Sequence, residues 1–187
     1  CYILQHANPF TMKKDILYAL TGLCFSIMIG GAVYEHLTVV PKWSAAPPLS
    51  LSMFQGEYGL KPELFWMLIH PVNLLLFALT LITHWRSARR KNILIVLGGY
   101  VLVLAITSVY FVPELISITT TSFAQTADAD LTHRAGIWEA WSLVRLAALM
   151  LLAMLLLVGL TKSSHLNPVV HARKKSRKEQ KEPETVK

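Results

Sequence analysis

Four apolar stretches, residues 16–39, 64–85, 93–113 and 137–160, constrain this chain more than any other feature. Each is long enough to cross a hydrocarbon layer, which is about 30 Å thick and takes roughly 20 helical residues. An irregular loop or an open strand edge at that depth would strand backbone N–H and C=O groups without partners, so the stretches read as helices. The composition agrees: 53% of the 187 residues are hydrophobic and the mean hydropathy is positive, more apolar than a water-soluble domain needs. The expected fold is all-α, an integral membrane four-helix transmembrane bundle. The expected layout is an N-terminal extension (1–12), the transmembrane domain (13–161) and a basic, disordered cytoplasmic tail (162–187).

The charges orient the bundle. Lys13 and Lys14 precede the first span, Arg86, Arg89, Arg90 and Lys91 separate the second from the third, and Lys162, Arg173, Lys174 and Lys175 follow the fourth. Basic residues beside span ends mark the cytoplasmic side, which places both termini there. Connections 40–63 and 114–136 carry more acid than base and belong outside. The net charge of +7 is therefore explained by topology, and nucleic acid is not an expected partner. The expected partners are the lipid bilayer and a small lipophilic ligand, with a homo-oligomer compatible. Two cysteines, Cys1 and Cys24, make no disulfide framework.

Local signals refine the elements. Gly22, Ser26 and Gly30 form a small-residue stripe on which a neighbouring helix is expected to pack closely. The first outer connection, with Pro41, Trp43, Pro47 and Pro48, is too aromatic for a disordered linker and reads as an ordered lid over the outer end of the bundle. Pro62 and Glu63 begin the second helix, Pro113 kinks the third or marks its exit, and Asp130 or Thr132 caps the fourth.

Polar residues inside spans are costly, so their positions point to function. They gather at one depth. Glu35 and His36 end the first span, His70 and Asn73 lie in the outer half of the second, Tyr110 and Glu114 end the third, and Arg134, Trp138, Glu139, Trp141 and Arg145 begin the fourth. The cytoplasmic halves of the second and fourth spans hold no group that carries a proton or an ion. A channel or transporter needs a polar path or a broken helix at the midplane, so the pattern favours a pocket open to the outer side. Arg134, Trp138, Trp141 and Arg145 recur at i, i+4, i+7 and i+11 and are expected to face the interior. Glu35 is the expected partner of Arg145. Trp66, His70 and Asn73 share a face, with Pro71 freeing a backbone carbonyl beside them.

Imidazoles and carboxylates are numerous enough for a metal site built from His36, His70, Glu35 and Glu139, with Glu114 and His133 in reserve. No two of them have ligand spacing on one helix. The cofactor expectation is accordingly none or a single metal ion. A haem is less favoured because a second buried histidine opposite His70 is not evident; His84 is on the inner side.

The glycine-rich first span ending in Tyr34-Glu35-His36 and Pro41, Pro113 at the end of the third span, and Trp138 followed by Arg145 in the fourth resemble the anthrone-oxygenase-like family of bacterial four-span membrane proteins over residues 13–161. The resemblance implies a bacterial inner-membrane location and an oxygenase-type reaction on a hydrophobic polycyclic substrate, carried over at Pro113, Trp138 and Arg145. The expected function is an oxidoreductase acting on a small lipophilic substrate in an outward-opening pocket. His70 would be the acid/base or a ligand, Glu35 its partner and Arg145 the stabiliser of negative charge, with Trp66, Asn73, Tyr110, Trp138, Trp141 and Arg134 binding substrate. The alternatives are a non-catalytic membrane subunit and a protein that binds a lipid, quinone or metal without transforming it.

Overall fold

The computed structural model describes residues 9–162. Residues 1–8 of the expected extension, and the expected tail from residue 163 on, lie outside the described residues. All regular structure among the described residues is helical: α1 (Pro9–Thr38), α2 (Val40–Ser44), a 3-10 segment (Leu49–Phe54), α3 (Glu63–Thr83), α4 (Arg90–Ile106), a π-helical turn (Thr107–Phe111), α5 (Val112–Thr119) and α6 (Ala129–Leu160). Four helical runs are long and apolar enough to cross a membrane, as the four apolar stretches predict. The protein is a multi-pass membrane bundle.

Around the bundle the order is α1, α3, α4, α6, with α1 and α4 on the diagonal. Large side chains fill the centre: Phe25 meets Phe77 and Tyr100 edge-on, at ring distances of 5.3 and 5.2 Å. Such offset contacts favour the aromatic quadrupoles. Val96, Leu146, Leu149 and Leu156 complete this core.

The small-residue stripe meets a neighbouring helix only at Gly22, which is buried and where a Cβ would lie in ordinary contact with Leu157 of α6. Ser26 is exposed and a Cβ on Gly30 would meet open space. The close approaches fall at other glycines: a Cβ on Gly99 would press into Leu152, one on Gly31 into the Phe65 ring, and one on Gly159 into the Tyr18 hydroxyl. A four-residue repeat of small residues permits a close crossing on one face of α1, but the face α1 buries is that of Tyr18, Phe25 and Met28.

Two further boundaries differ from expectation. The third span does not end at Pro113; it widens into the π turn and continues as α5 to Thr119. Pro113 has no N–H to give to the preceding turn and its ring crowds that turn's carbonyl, so a widened turn just before it accommodates the helix without a break. The fourth helix is capped by Asp128, not by Asp130 or Thr132. The Asp128 side chain accepts the Leu131 N–H at 2.9 Å, and its own N–H donates to the Pro47 carbonyl at 2.8 Å. One residue thus starts α6 and ties it to the first connection.

That connection is the ordered lid the aromatics predict. Val40, Trp43 and Leu51 bury themselves with Phe111, Ile118, Leu131, Ala135 and Trp138 in a second apolar cluster over one end of the bundle. At the opposite end Arg89 closes α6. Its guanidinium donates to the Lys162 and Leu160 carbonyls, at 2.9 and 3.2 Å, and pairs with Asp15. A cation on the last carbonyls of a helix satisfies orphan acceptors and opposes the negative end of its dipole. Of the second and fourth spans, expected to hold no proton- or ion-carrying group in this half, the second ends on the buried His84; Asn92 and the bonded pair Thr21 and Thr80 are buried beside it.

Candidate functional site

The polar residues near the lid form two linked groups on either side of the end of α1. Glu35 and His36 are consecutive, so their side chains diverge by about 100° around the helix axis. Glu35 turns toward α3 and His36 toward α6.

On the α3 side, Glu35 Oε1 accepts the Trp66 indole N–H at 2.9 Å. The Trp66 ring stacks on His70 at 5.5 Å between centroids, one turn later on the same face of α3. His70 Nδ1 lies 2.7 Å from the Tyr100 hydroxyl of α4. Carboxylate, indole, imidazole and phenol thus run in series from the edge of the bundle to its buried centre. Asn73 shares the face as expected but is fully buried; its amide donates to the Ile69 carbonyl, and its Oδ1 has no partner among the described residues.

On the α6 side, a carbonyl can only accept, so the 2.8 Å contact of His36 Nδ1 with Ala32 O puts the ring proton on Nδ1. In the neutral ring Nε2 then accepts the Ser142 hydroxyl at 3.0 Å. Arg145 donates to the same Ser142 oxygen at 2.8 Å and to Thr107 Oγ1 at 3.2 Å, and its guanidinium sits 4.2 Å above the Phe111 ring. Trp138 is buried and donates its indole N–H to the Phe111 carbonyl at 2.9 Å. The π turn supplies both Thr107 and Phe111 to this group, a placement common for such turns at functional sites.

Several sequence expectations are corrected here. Glu35 and Arg145 make no ion-pair contact, although each lies within Coulombic reach of the other. Trp141 is 58% exposed and faces outward. The buried seam of α6 runs through Leu131, Ala135, Trp138, Ser142 and Leu149, displaced from the Arg134–Trp138–Trp141–Arg145 stripe toward Ser142, and it leaves Trp141 at the lipid edge. Tyr110 is likewise partly exposed and packs on Phe111. Arg134 donates to Glu114 at 2.8 Å and to Ser117, joining α5 to α6. Glu139 accepts the Ser44 hydroxyl at 2.8 Å and so helps hold the lid.

The metal set is not assembled. His36, His70, Glu35 and Glu139 each face a different partner, and no three His, Cys, Asp or Glu side chains converge among the described residues. The buried His84 cannot face His70 across a haem, since 14 residues of α3 separate them by about 21 Å.

A cleft of about 370 Å³ opens between α1 and the start of α3, lined by Gly31, Tyr34, Glu35, Val39, Lys61 and Phe65 among others. That is within the size range of small-molecule sites. Gly31, Glu35 and Val39 succeed each other at four-residue spacing along one face of α1. Among the expected catalytic residues Glu35 alone lines the cleft. His70 stands behind it through Trp66, and Arg145 lies on the other side of α1. Oε2 of Glu35 has no protein partner among the described residues, and Glu35 shares the cleft lining with the polar side chains of Tyr34 and Lys61.

No family model, no curated protein and no solved structure matches this chain. Sequence reasoning missed Ser142, Thr107 and Tyr100. Ser142 carries a faint signal, four residues after Trp138 and three before Arg145, but a lone hydroxyl in a span more often bonds its own helix.

Proposed function

We propose that this chain is a membrane-embedded oxidoreductase, oxygenase-like, that takes a small lipophilic molecule into the cleft between α1 and α3. In this reading both termini lie in the cytoplasm of a bacterium, the lid and cleft are on the outer side, and substrate enters from the bilayer. The observation that carries it is Glu35: a carboxyl group on the wall of a largely apolar cleft, fixed through one oxygen by Trp66, with its other oxygen unpaired among the described residues. A carboxylate held this way is placed to accept a proton from an acidic C–H or O–H of a bound lipophile. The resulting carbanion is oxidisable by dioxygen: a methylene becomes a carbonyl, with one oxygen atom of O2 in the product and the other in water. The Arg145 charge across α1 favours the anionic intermediate.

The test uses protein purified in detergent, with anthrone as a polycyclic probe carrying an acidic methylene. Wild type is expected to consume oxygen with the probe and Glu35→Gln to lose that activity. Equal uptake in the two proteins, or none in wild type together with no lipophile in its organic extract, overturns the reading. A bound lipophile recovered unchanged, with no uptake, would make the cleft a binding site only.

A further inference from the structure

Tyr100 is fully buried behind the cleft, and acid/base chemistry at Glu35 does not use it. Its hydroxyl has one acceptor among the described residues, His70 Nδ1 at 2.7 Å. If Nδ1 carried the ring proton instead, the phenol would be left as a donor without an acceptor inside an apolar core, so the phenol donates and the imidazole accepts. Phe25 and Phe77 enclose the phenol ring and keep water from it. Trp66 stacks on the His70 ring and donates its N–H to its own proton acceptor, Glu35.

These are the two protein side chains most readily oxidised by one electron, each hydrogen-bonded to a base and separated by a single imidazole. An aromatic radical cation is a strong acid, so oxidation is easy only where a base takes the proton at once. We propose that Trp66 and Tyr100 form a redox-active pair bridged by His70, which carries an oxidising equivalent from the cleft to the bundle core.

The steps balance. A one-electron oxidant in the cleft, an oxygen-derived radical of the lipophile, takes an electron from Trp66 and a proton from water to become a hydroperoxide, and the hydroxide left over passes to the solvent, where it balances the imidazolium formed in the last step. The indole Nε1 proton shifts to Glu35. An electron from Tyr100 then crosses His70 to the indole, the proton returns from Glu35 to Nε1, and the Tyr100 proton moves to His70 Nδ1. The end state is a neutral tyrosyl radical beside an imidazolium, with Trp66 and Glu35 restored. The origin of the oxidant rests on the oxygenase reading, whereas the competence of the pair does not. The experiment therefore supplies the oxidant photochemically.

Full-length protein in detergent is flashed with a ruthenium polypyridyl sensitiser and a sacrificial electron acceptor, and radicals are followed by transient absorption and electron paramagnetic resonance. Wild type is expected to show a short-lived tryptophan radical that gives way to a long-lived tyrosyl radical. Its formation should slow in D2O because a proton moves with the electron. Tyr100→Phe, which removes one oxygen, is expected to lose the long-lived signal and prolong the tryptophan radical. Trp66→Phe should slow the arrival of the tyrosyl radical, and His70→Leu should abolish it with Tyr100 still present. A long-lived tyrosyl signal that persists in Tyr100→Phe, or is undiminished in His70→Leu, overturns the proposal. Selective 3-fluorotyrosine labelling of wild type gives a second readout that requires no substitution, and failure of the long-lived signal to change its hyperfine pattern on labelling also overturns it. Oxygen uptake with anthrone is measured separately, so loss of that activity does not bear on the radical result.

Discussion

Replacing Arg145 by methionine separates two roles that its position in α6 permits. Arg145 hydrogen-bonds Ser142 and Thr107 and lies over Phe111, yet among the described residues no carboxylate is in ion-pair contact with it. Removing its charge from a span relieves about 2.5–3.5 kcal/mol on insertion scales. The attractions lost are hydrogen bonds within membrane helices at about 0.6 kcal/mol each and one desolvated cation–π contact of about 1–2 kcal/mol, together about 2–3 kcal/mol. The substitution orphans nothing, because Ser142 keeps His36 and Thr107 keeps the Val103 carbonyl. Methionine is unbranched and flexible enough to fill the vacated space. Arg145→Met is therefore expected to unfold within about 1 kcal/mol of wild type in a detergent-to-SDS titration, while oxygen uptake with the probe falls. If Arg145 instead held the helices in register through a buried ion pair, breaking it would cost about 3–5 kcal/mol. A loss of that size would refute the account of its surroundings.

Four other outcomes follow from named contacts. Gly31→Ala places a methyl 2.6 Å from the Phe65 ring edge; the ring must turn into the cleft, so probe binding is expected to weaken with a stability change of at most about 1–3 kcal/mol, checked by equilibrium binding and unfolding. Gly159→Ala drives a Cβ against the Tyr18 hydroxyl and breaks its 2.6 Å bond to the Leu156 carbonyl; a loss of about 1–3 kcal/mol is expected, with cleft binding unchanged. Asp128→Ala removes the α6 cap and should cost about 1 kcal/mol, measured by the same titration. His84, at the end of α3, is held below the ordinary histidine range, first by burial and then by the Arg89 and Lys14 charges, against the opposing Thr80 hydrogen bond and Asp15. The unfolded chain then binds the proton more readily than the folded one. Stability is fully present above about pH 6.5 and is lost as pH falls from there toward the lower folded value; His84→Gln should flatten that part of the stability profile.

The bundle was legible because lipid imposes a length and an apolar composition on each span, and both are visible in a single sequence. The depth of the polar layer was legible for a related reason: a charge such as Arg145 or Glu35 in a span is too costly to be placed at random. Helix order was not. Whether Glu35 faces Arg145 or Trp66 depends on which neighbour lies beside α1 and on the rotation of each helix about its axis, and spacing along one helix fixes neither. The same ignorance explains Trp141. A period of i, i+4, i+7, i+11 defines a stripe, but the centre of the buried seam is set by what packs against it, and here it falls nearer Ser142. The lid was readable from its aromatics, whereas its attachment through Asp128 to Pro47 required two segments distant in sequence to meet.

The layering of the core bears on the class of function. From the lid inward, the polar groups of Glu35, His36, His70, Ser142 and Arg145 end at the buried Asn73 and the Tyr100 hydroxyl. Below it Phe25, Phe77, Val96 and Leu149 close the bundle centre, and only beyond them do Thr21, Thr80, His84 and Asn92 appear. At that far end Arg89 and Lys162 are spent on capping α6 and on Asn92. The described residues therefore hold two polar layers separated by an aromatic and aliphatic plug about two helical turns thick, roughly 10 Å. Moving an ion or a proton across that plug would require helices to part over its packed aromatic and aliphatic side chains. A reaction confined to the cleft requires none of this, because its proton acceptor, Glu35, already faces the ligand space. The plug also leaves Tyr100 reachable by an electron and closed to water, the condition under which a tyrosyl radical lasts long enough to matter.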